Sequence, residues 1–148
     1  MVDSAKLAIE IAKDLIRTPS LSGEEKEVAY YIRDTLSNLG VDSLIIDELG
    51  NVIAKIEGVE NKDPIILEGH MDHVEPGNRD LWKADPYSGK IIDNKLYGRG
   101  TVDMKSSLAS MISSITLLPD KIERTVYLVF VTHEETAEGC LLYTSPSP

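Results

Sequence analysis

The sequence predicts an α/β fold. Two features carry the prediction. Amphipathic stripes at helical spacing alternate with short β-branched and aliphatic runs. The clusters of His, Asp and Glu stand just past those runs or at the mouth of a helix, where α/β proteins build their sites. A chain of 148 residues has the length of one ordinary domain.

Taken in order, Leu7, Ala8, Ile11, Ala12, Leu15 and Ile16 form a helical stripe that Asp3 or Ser4 can cap and Pro19 ends, so a helix is expected over 4–17. Ser22 and Glu25 have the spacing of a capping box, and Val28, Tyr31, Ile32, Leu36 and Leu39 share one face of a second helix closed by Gly40. Both helices are expected on one side of a sheet. The runs 43–47 and 52–56 flank the turn-forming Glu48-Leu49-Gly50-Asn51, which makes a hairpin. Pro64 to Leu67 is wholly apolar, the pattern of a buried strand, and leads into Glu68-Gly69-His70. From Glu75 to Gly100 periodicity fades into a long loop rich in Gly, Pro, Asn and Asp, with short strand candidates at 90–92 and 95–97. A third helix is expected over 104–118, stopped by Pro119, and Arg124 to Thr132 reads as a buried strand running into His133-Glu134-Glu135. Leu108, Met111, Ile112 and Ile115, with Val126, Leu128 and Phe130, are expected in the core.

Composition excludes several function classes. A net charge of -10 would repel nucleic acid and anionic membrane surfaces, so neither is expected as a partner. No apolar run approaches the roughly 20 residues of a membrane span. Charges interrupt Met1 to Lys13 where a signal peptide would be unbroken, so a cytoplasmic location is expected. Cys140 is the only cysteine, which leaves any transition metal to His and carboxylate ligands. Cys140 to Pro148 contain no charge in a chain that is 27% charged. That break, and a likeness to the translation of a sequencing adapter, mark 140–148 as a non-native tail, with a genuine Pro/Ser-rich loop as the alternative; the native part is read as 1–139.

Three polar clusters can carry chemistry. In Gly69-His70-Met71-Asp72 a histidine past a strand can present one ring nitrogen to a metal while the carboxylate two residues on fixes the other, though His-x-Asp also occurs in ordinary loops. In Tyr97 to Lys105 a glycine-rich turn sets Asp103 at a helix mouth. Its spacing fits neither a dinucleotide fingerprint nor a P-loop, and metal ligation or simple helix capping both account for Asp103 taken alone. In His133-Glu134-Glu135 two adjacent carboxylates at a strand end repel one another unless solvated, which a cation would relieve. One could ligate while the other takes a proton; a solvated acidic turn is the other reading.

In this order and at these separations the clusters resemble the co-catalytic zinc hydrolase family of acetylornithine deacetylase, succinyl-diaminopimelate desuccinylase, glutamate carboxypeptidase and the aminoacylases. The family's Gly-His-x-Asp, Gly-x-Gly-x-x-Asp-Met-Lys and Glu-Glu fall on Gly69 to Asp72, Gly98 to Lys105 and Glu134-Glu135. Trp82, Asp85-Pro86-Tyr87 and Lys95-Leu96-Tyr97 also sit where relatives carry similar residues, and the resemblance covers nearly all of 1–139. It implies a three-layer sandwich with a mixed central sheet, of which this chain is the amino-terminal part. It implies a metal-dependent hydrolase acting on an amide or peptide bond of a small substrate, an N-acyl amino acid or a dipeptide, through water activated by two zinc ions, with cobalt or manganese as substitutes. Carried over residue by residue, His70 ligates one zinc, Asp103 bridges both, Glu135 ligates the other, Glu134 is the general base and Asp72 supports His70. Ions so bridged would lie about 3.5–4 Å apart. A cis peptide is expected between Asp103 and Met104.

Relatives take two further ligands from later sequence and carry a smaller domain that often dimerises, so this chain alone is expected to be inactive and the whole protein to form homodimers through that domain. His73 is expected as a pocket-rim or structural histidine and His133 beside the site, while Asn78 and Arg79 lie in a loop that could meet a carboxylate-bearing ligand or only solvent. Two competing readings are a non-catalytic metal-binding or regulatory α/β module, and a structural domain in which His70, Asp103 and Glu135 lie apart.

Overall fold

The protein is described here from a computed structural model over residues 3–136. The expected tail at 140–148 lies outside the described residues. Helix α1 spans Ser4–Arg17, and the Asp3 carboxylate accepts from the Lys6 amide at 3.1 Å, satisfying one of the free amides of its first turn. Helix α2 spans Lys26–Leu39 and ends on Gly40, whose φ of 80° is the left-handed value that a glycine adopts without Cβ strain. Strands β1 (Ser43–Ile46) and β2 (Val52–Ile56) form the expected hairpin. Its turn is held by Asp47, whose carboxylate accepts from the amides of Leu49 and Asn51.

Strand β3 (Ile65–His70) is followed by the long loop, which contains a small ribbon of β4 (Lys90–Ile92) and β5 (Lys95–Tyr97). Helix α3 covers Ser106–Ser114, shorter than the expected 104–118. Its start is displaced by a wide turn over Thr101–Lys105 in which Asp103 and Met104 leave helical geometry, and its end tightens into a 3-10 turn over Ile115–Leu117. Strand β6 (Val126–Val131) completes a four-stranded sheet in the order β1-β2-β6-β3. The sheet is mixed, with β3 parallel to β6 and the other pairs antiparallel.

One core joins the helices to one face of the sheet. Alternate residues Val52 and Ala54 of β2 and Leu128 and Phe130 of β6 are buried against Ile11 and Leu15 of α1, Val28, Ile32 and Leu36 of α2, and Leu108 and Ile112 of α3. These elements therefore supply the sheet and one helical layer of a sandwich.

Two expectations change. Strand β3 is not buried along its apolar half, since Ile65, Ile66 and Leu67 are 45%, 59% and 38% exposed. Only β6 flanks it among the described residues, so it lacks neighbours on its other side. The second correction is the capping box. Helix α2 begins at Lys26 with no side-chain cap, because Ser22 and Glu25 are turned across the fold to other partners.

Candidate metal centre

The parallel pairing of β3 with β6 brings two of the three clusters together. His70 is in register with Val131, and the Met71 amide donates to the Val131 carbonyl at 2.8 Å, so both strands deliver their polar exits to one end of the sheet. Asp103 arrives from the wide turn before α3. Two glycines shape that turn for different reasons. A Cβ on Gly98 would stand 2.3 Å from Ile16 Cγ2, inside contact distance, and Gly100 has a left-handed φ of 76°. Lys105 then pins the turn to α1. Its Nζ is fully buried and donates to the carbonyls of Leu15 and Thr18 at 2.9 and 2.7 Å, near the end of the helix. Burial pulls the Lys105 ammonium down to about 7. The peptide bond between Asp103 and Met104 is cis, as the resemblance implies.

Ligand atoms of His70, Asp103 and Glu135 all lie within 4.8 Å of one another. His70 is buried, Asp103 exposed and Glu135 half-buried, so the cluster opens to solvent on the Asp103 side. His70 Nε2 is 2.9 Å from Asp103 Oδ1 and 3.9 Å from Glu134 Oε2, which places Glu134 beside the cluster as well. The other ring nitrogen, Nδ1, lies 3.1 Å from the Asp72 carbonyl and 3.3 Å from its carboxylate. Donation from Nδ1 to Asp72 leaves Nε2 facing the cluster, the orientation that a metal-ligating histidine needs.

Asp72 is the hub of the site. It is fully buried, and its carboxylate accepts from the Ser22 hydroxyl at 2.6 Å, the Glu135 amide at 3.0 Å and the Glu134 amide at 3.2 Å. Burial alone would raise its pKa. Hydrogen bonds from His70, Ser22 and the two amides outweigh burial and hold the carboxyl well below the usual carboxylate range. His70 responds in the opposite sense. Burial disfavours its charged ring, but hydrogen bonds to Asp72 and Asp103 and the negative charges of Asp72 and Glu134 raise it to about 9. Burial and the charge of Asp103 push Glu135 up. Four carboxylates thus converge on one imidazole, an arrangement that a bound cation would relieve, and the nitrogen and oxygen donors suit zinc and its divalent neighbours.

The residues set aside in the sequence find structural places. His73 is buried with its Nε2 accepting from the Ser20 amide and its Nδ1 against the Val74 carbonyl, both at 2.9 Å, and burial lowers its pKa. His133 takes a left-handed φ of 61°, and its amide donates to Glu25 Oε1 at 3.0 Å. Arg79 pairs with Asp85 at 3.4 Å and lies over the Tyr87 ring. A cavity of about 320 Å³ beside the cluster is lined instead by Arg99 and Trp82 together with Asp103 and Glu135.

Sequence reasoning missed Ser22, Glu25, Lys105 and Arg99. The first two satisfy a capping-box pattern, and nothing local distinguishes a cap from a long-range brace. Lys105 and Arg99 lie within the glycine-rich cluster, but only the fold shows Lys105 pinned to α1 and Arg99 lying over the Trp82 ring. The convergence of His70, Asp103 and Glu135 removes the reading in which they lie apart.

Residues 66–145 match the sequence profile of Peptidase family M20/M25/M40. The chain is 32% identical over 128 residues to the uncharacterized protein YgeY of Escherichia coli strain K12, covering 86% of this chain and 31% of that one. It is 32% identical over 136 residues to a probable succinyl-diaminopimelate desuccinylase of Staphylococcus epidermidis, covering 88% of this chain and 33% of that one. Among solved structures, the M20 family metallo-carboxypeptidase Sso-CP2 from Sulfolobus solfataricus superposes with a TM-score of 0.74 at 26% identity, over 93% of this chain and 34% of that one. The YXEP protein of Bacillus subtilis, described as a dinuclear metal-binding peptidase, gives 0.70 at 25% identity, over 95% and 39%. The chain spans about a third of the length of the curated relatives it matches.

Proposed function

The chain belongs to Peptidase family M20/M25/M40, and on that premise we propose that it is the amino-terminal part of a zinc-dependent hydrolase cleaving an amide bond of a small N-acyl amino acid or dipeptide. The observation that carries this reading is the convergence of His70, Asp103 and Glu135 within 4.8 Å, with Glu134 beside them. His70 and Glu135 would each hold one ion and Asp103 would bridge the pair, with further ligands supplied by the rest of the whole protein. Bound there, the ions supply Lewis acidity toward the amide carbonyl and toward water.

The chain's own residues divide the remaining work. Asp72 orients His70 through Nδ1 and, through the amides of Glu134 and Glu135, fixes the turn that presents both glutamates. Glu134 is the general base: its carboxylate accepts a proton from the attacking water and returns it to the leaving amine. Glu25 secures that turn from behind by accepting from the His133 amide. Among the described residues no helix is long and apolar enough to cross a membrane. A cytoplasmic enzyme that forms homodimers through its second domain completes the proposal.

The test uses the full-length protein and Glu134→Gln. Two zinc ions per subunit in both forms, with hydrolysis of N-acyl amino acids or dipeptides lost only in the variant, is the expected result. Stoichiometric metal with no amide turnover in the unmodified protein would move the assignment to a metal-binding module, for which Glu134 has no use.

A further inference from the structure

We propose that the stretch from Leu15 to Glu25, which holds no ligand itself, sets the spacing of the ligand-bearing segments, with Ser22 and Glu25 as positioning residues for the zinc pair; this rests on the metal-hydrolase reading. His70, Asp103 and Glu135 come from parts of the chain far apart in sequence, and each part is tied to this one stretch. At its start, the carbonyls of Leu15 and Thr18 accept from Lys105 Nζ at 2.9 and 2.7 Å, which fixes the turn bearing Asp103. In its middle, the Ser20 hydroxyl donates to the Met71 carbonyl at 2.7 Å and its amide to His73 Nε2 at 2.9 Å, while its carbonyl accepts from the His73 amide at 2.9 Å. Ser22 follows with its donation to Asp72 Oδ2 at 2.6 Å. At the end, Glu25 Oε1 accepts from the His133 amide at 3.0 Å, just before Glu134 and Glu135.

These side chains serve distant partners in place of local structure. Ser20 and Glu25 are buried, and α2 starts without a side-chain cap although Ser22 and Glu25 have the spacing for one. A buried carboxylate is costly. This one serves the amide of a residue other than glycine at a left-handed φ of 61°, a conformation that persists only where its surroundings hold it. Gly23 lets the chain pass between the two strand exits: its φ is 88°, and a Cβ there would stand 3.3 Å from His133 Cε1. The two positioning residues act at different points. Glu25 acts on the turn of Glu134 and Glu135. Ser22 acts through Asp72, whose Oδ2 also accepts from the Glu135 amide and whose Oδ1 lies 3.3 Å from His70 Nδ1. Loss of the Glu25 contact should therefore loosen the zinc on Glu135 and spare the one on His70, while loss of the Ser22 hydroxyl should loosen both.

The test titrates zinc into the metal-free full-length protein in competition with a chromophoric chelator, which resolves the two affinities, and follows amide turnover separately. Glu25→Ala should weaken one affinity about tenfold, the size of one hydrogen bond to a charged group, and leave the other unchanged. Glu25→Gln, whose carbonyl oxygen can accept from the same amide, should restore it. Val28→Ala removes core packing from the helix that follows and should change neither affinity. Two unchanged affinities in Glu25→Ala, an equal weakening in Val28→Ala, or a Glu25→Gln no better than alanine would overturn the assignment. If Glu25→Ala does not fold, Ser22 decides. Ser22→Ala should weaken both affinities while Ser22→Thr, which keeps the hydroxyl, binds zinc as the unmodified protein does; unchanged affinities in Ser22→Ala would overturn the assignment. Affinities that move as expected, without amide turnover in the unmodified protein, would sink the hydrolase reading alone. Turnover with two zinc ions bound, and affinities indifferent to Glu25 and Ser22, would sink the positioning assignment alone.

Discussion

Replacing Asp72 with asparagine should be among the most damaging conservative changes available in this chain. The side chain is fully buried, and its two oxygens serve the Ser22 hydroxyl, the Glu134 and Glu135 amides and His70 Nδ1. Asparagine keeps the shape but loses the charge, and its amide NH2 must face at least one of these donors. Hydrogen bonds to a charged group contribute about 1.5–3 kcal/mol each. They share one carboxylate and do not add, so the one-sided loss from a buried pair, about 3–5 kcal/mol, is the better guide. Urea unfolding of the metal-free chain should show that loss as a lower midpoint at unchanged slope. The pH dependence has a definite sign. The folded pKa of Asp72 lies below its ordinary 3.8, so its contribution is complete above that value and declines as pH falls toward the folded pKa. The part owed to protonated His70 is present below 6.5 and lost as pH rises through about 9. A change under about 1 kcal/mol at pH 6, against this expected range, would refute the hub assigned to Asp72.

Two further outcomes follow from the same geometry. Because metal-free His70 keeps its proton up to about pH 9, a metal must displace that proton; zinc affinity should rise about tenfold per pH unit between pH 7 and 9 and then level off, and a flat profile would show that His70 is not the ligand. Gly98→Ala would press a methyl group to 2.3 Å from buried Ile16 and should cost about 1–3 kcal/mol in urea unfolding, whereas a neutral change would mean that α1 does not pack against the turn.

The elements were legible wherever the signal was local and periodic. The stripe ending at Leu15 and Ile16, the Gly40 closure and the hairpin around Gly50 form as expected because spacing and turn chemistry suffice to specify them. What needed the fold was every decision between a local and a distant partner. Ser22 and Glu25 read as a helix cap, yet their side chains brace Asp72 and the His133 amide from far along the chain. The apolar run at Ile65 to Leu67 reads as interior, but burial of a strand depends on which neighbours flank it. At the site, the three clusters could be ranked as candidates, while their convergence depends on the parallel register of β3 and β6.

Anomalous diffraction at the zinc edge from crystals of the zinc-loaded full-length protein would locate the metal directly. Two anomalous peaks are expected, one bonded to His70 Nε2 and one to Glu135, with Asp103 shared between them and Glu134 beside them outside bonding distance. Density ligated by Glu134 in place of Glu135, or no zinc within reach of His70, would contradict that arrangement.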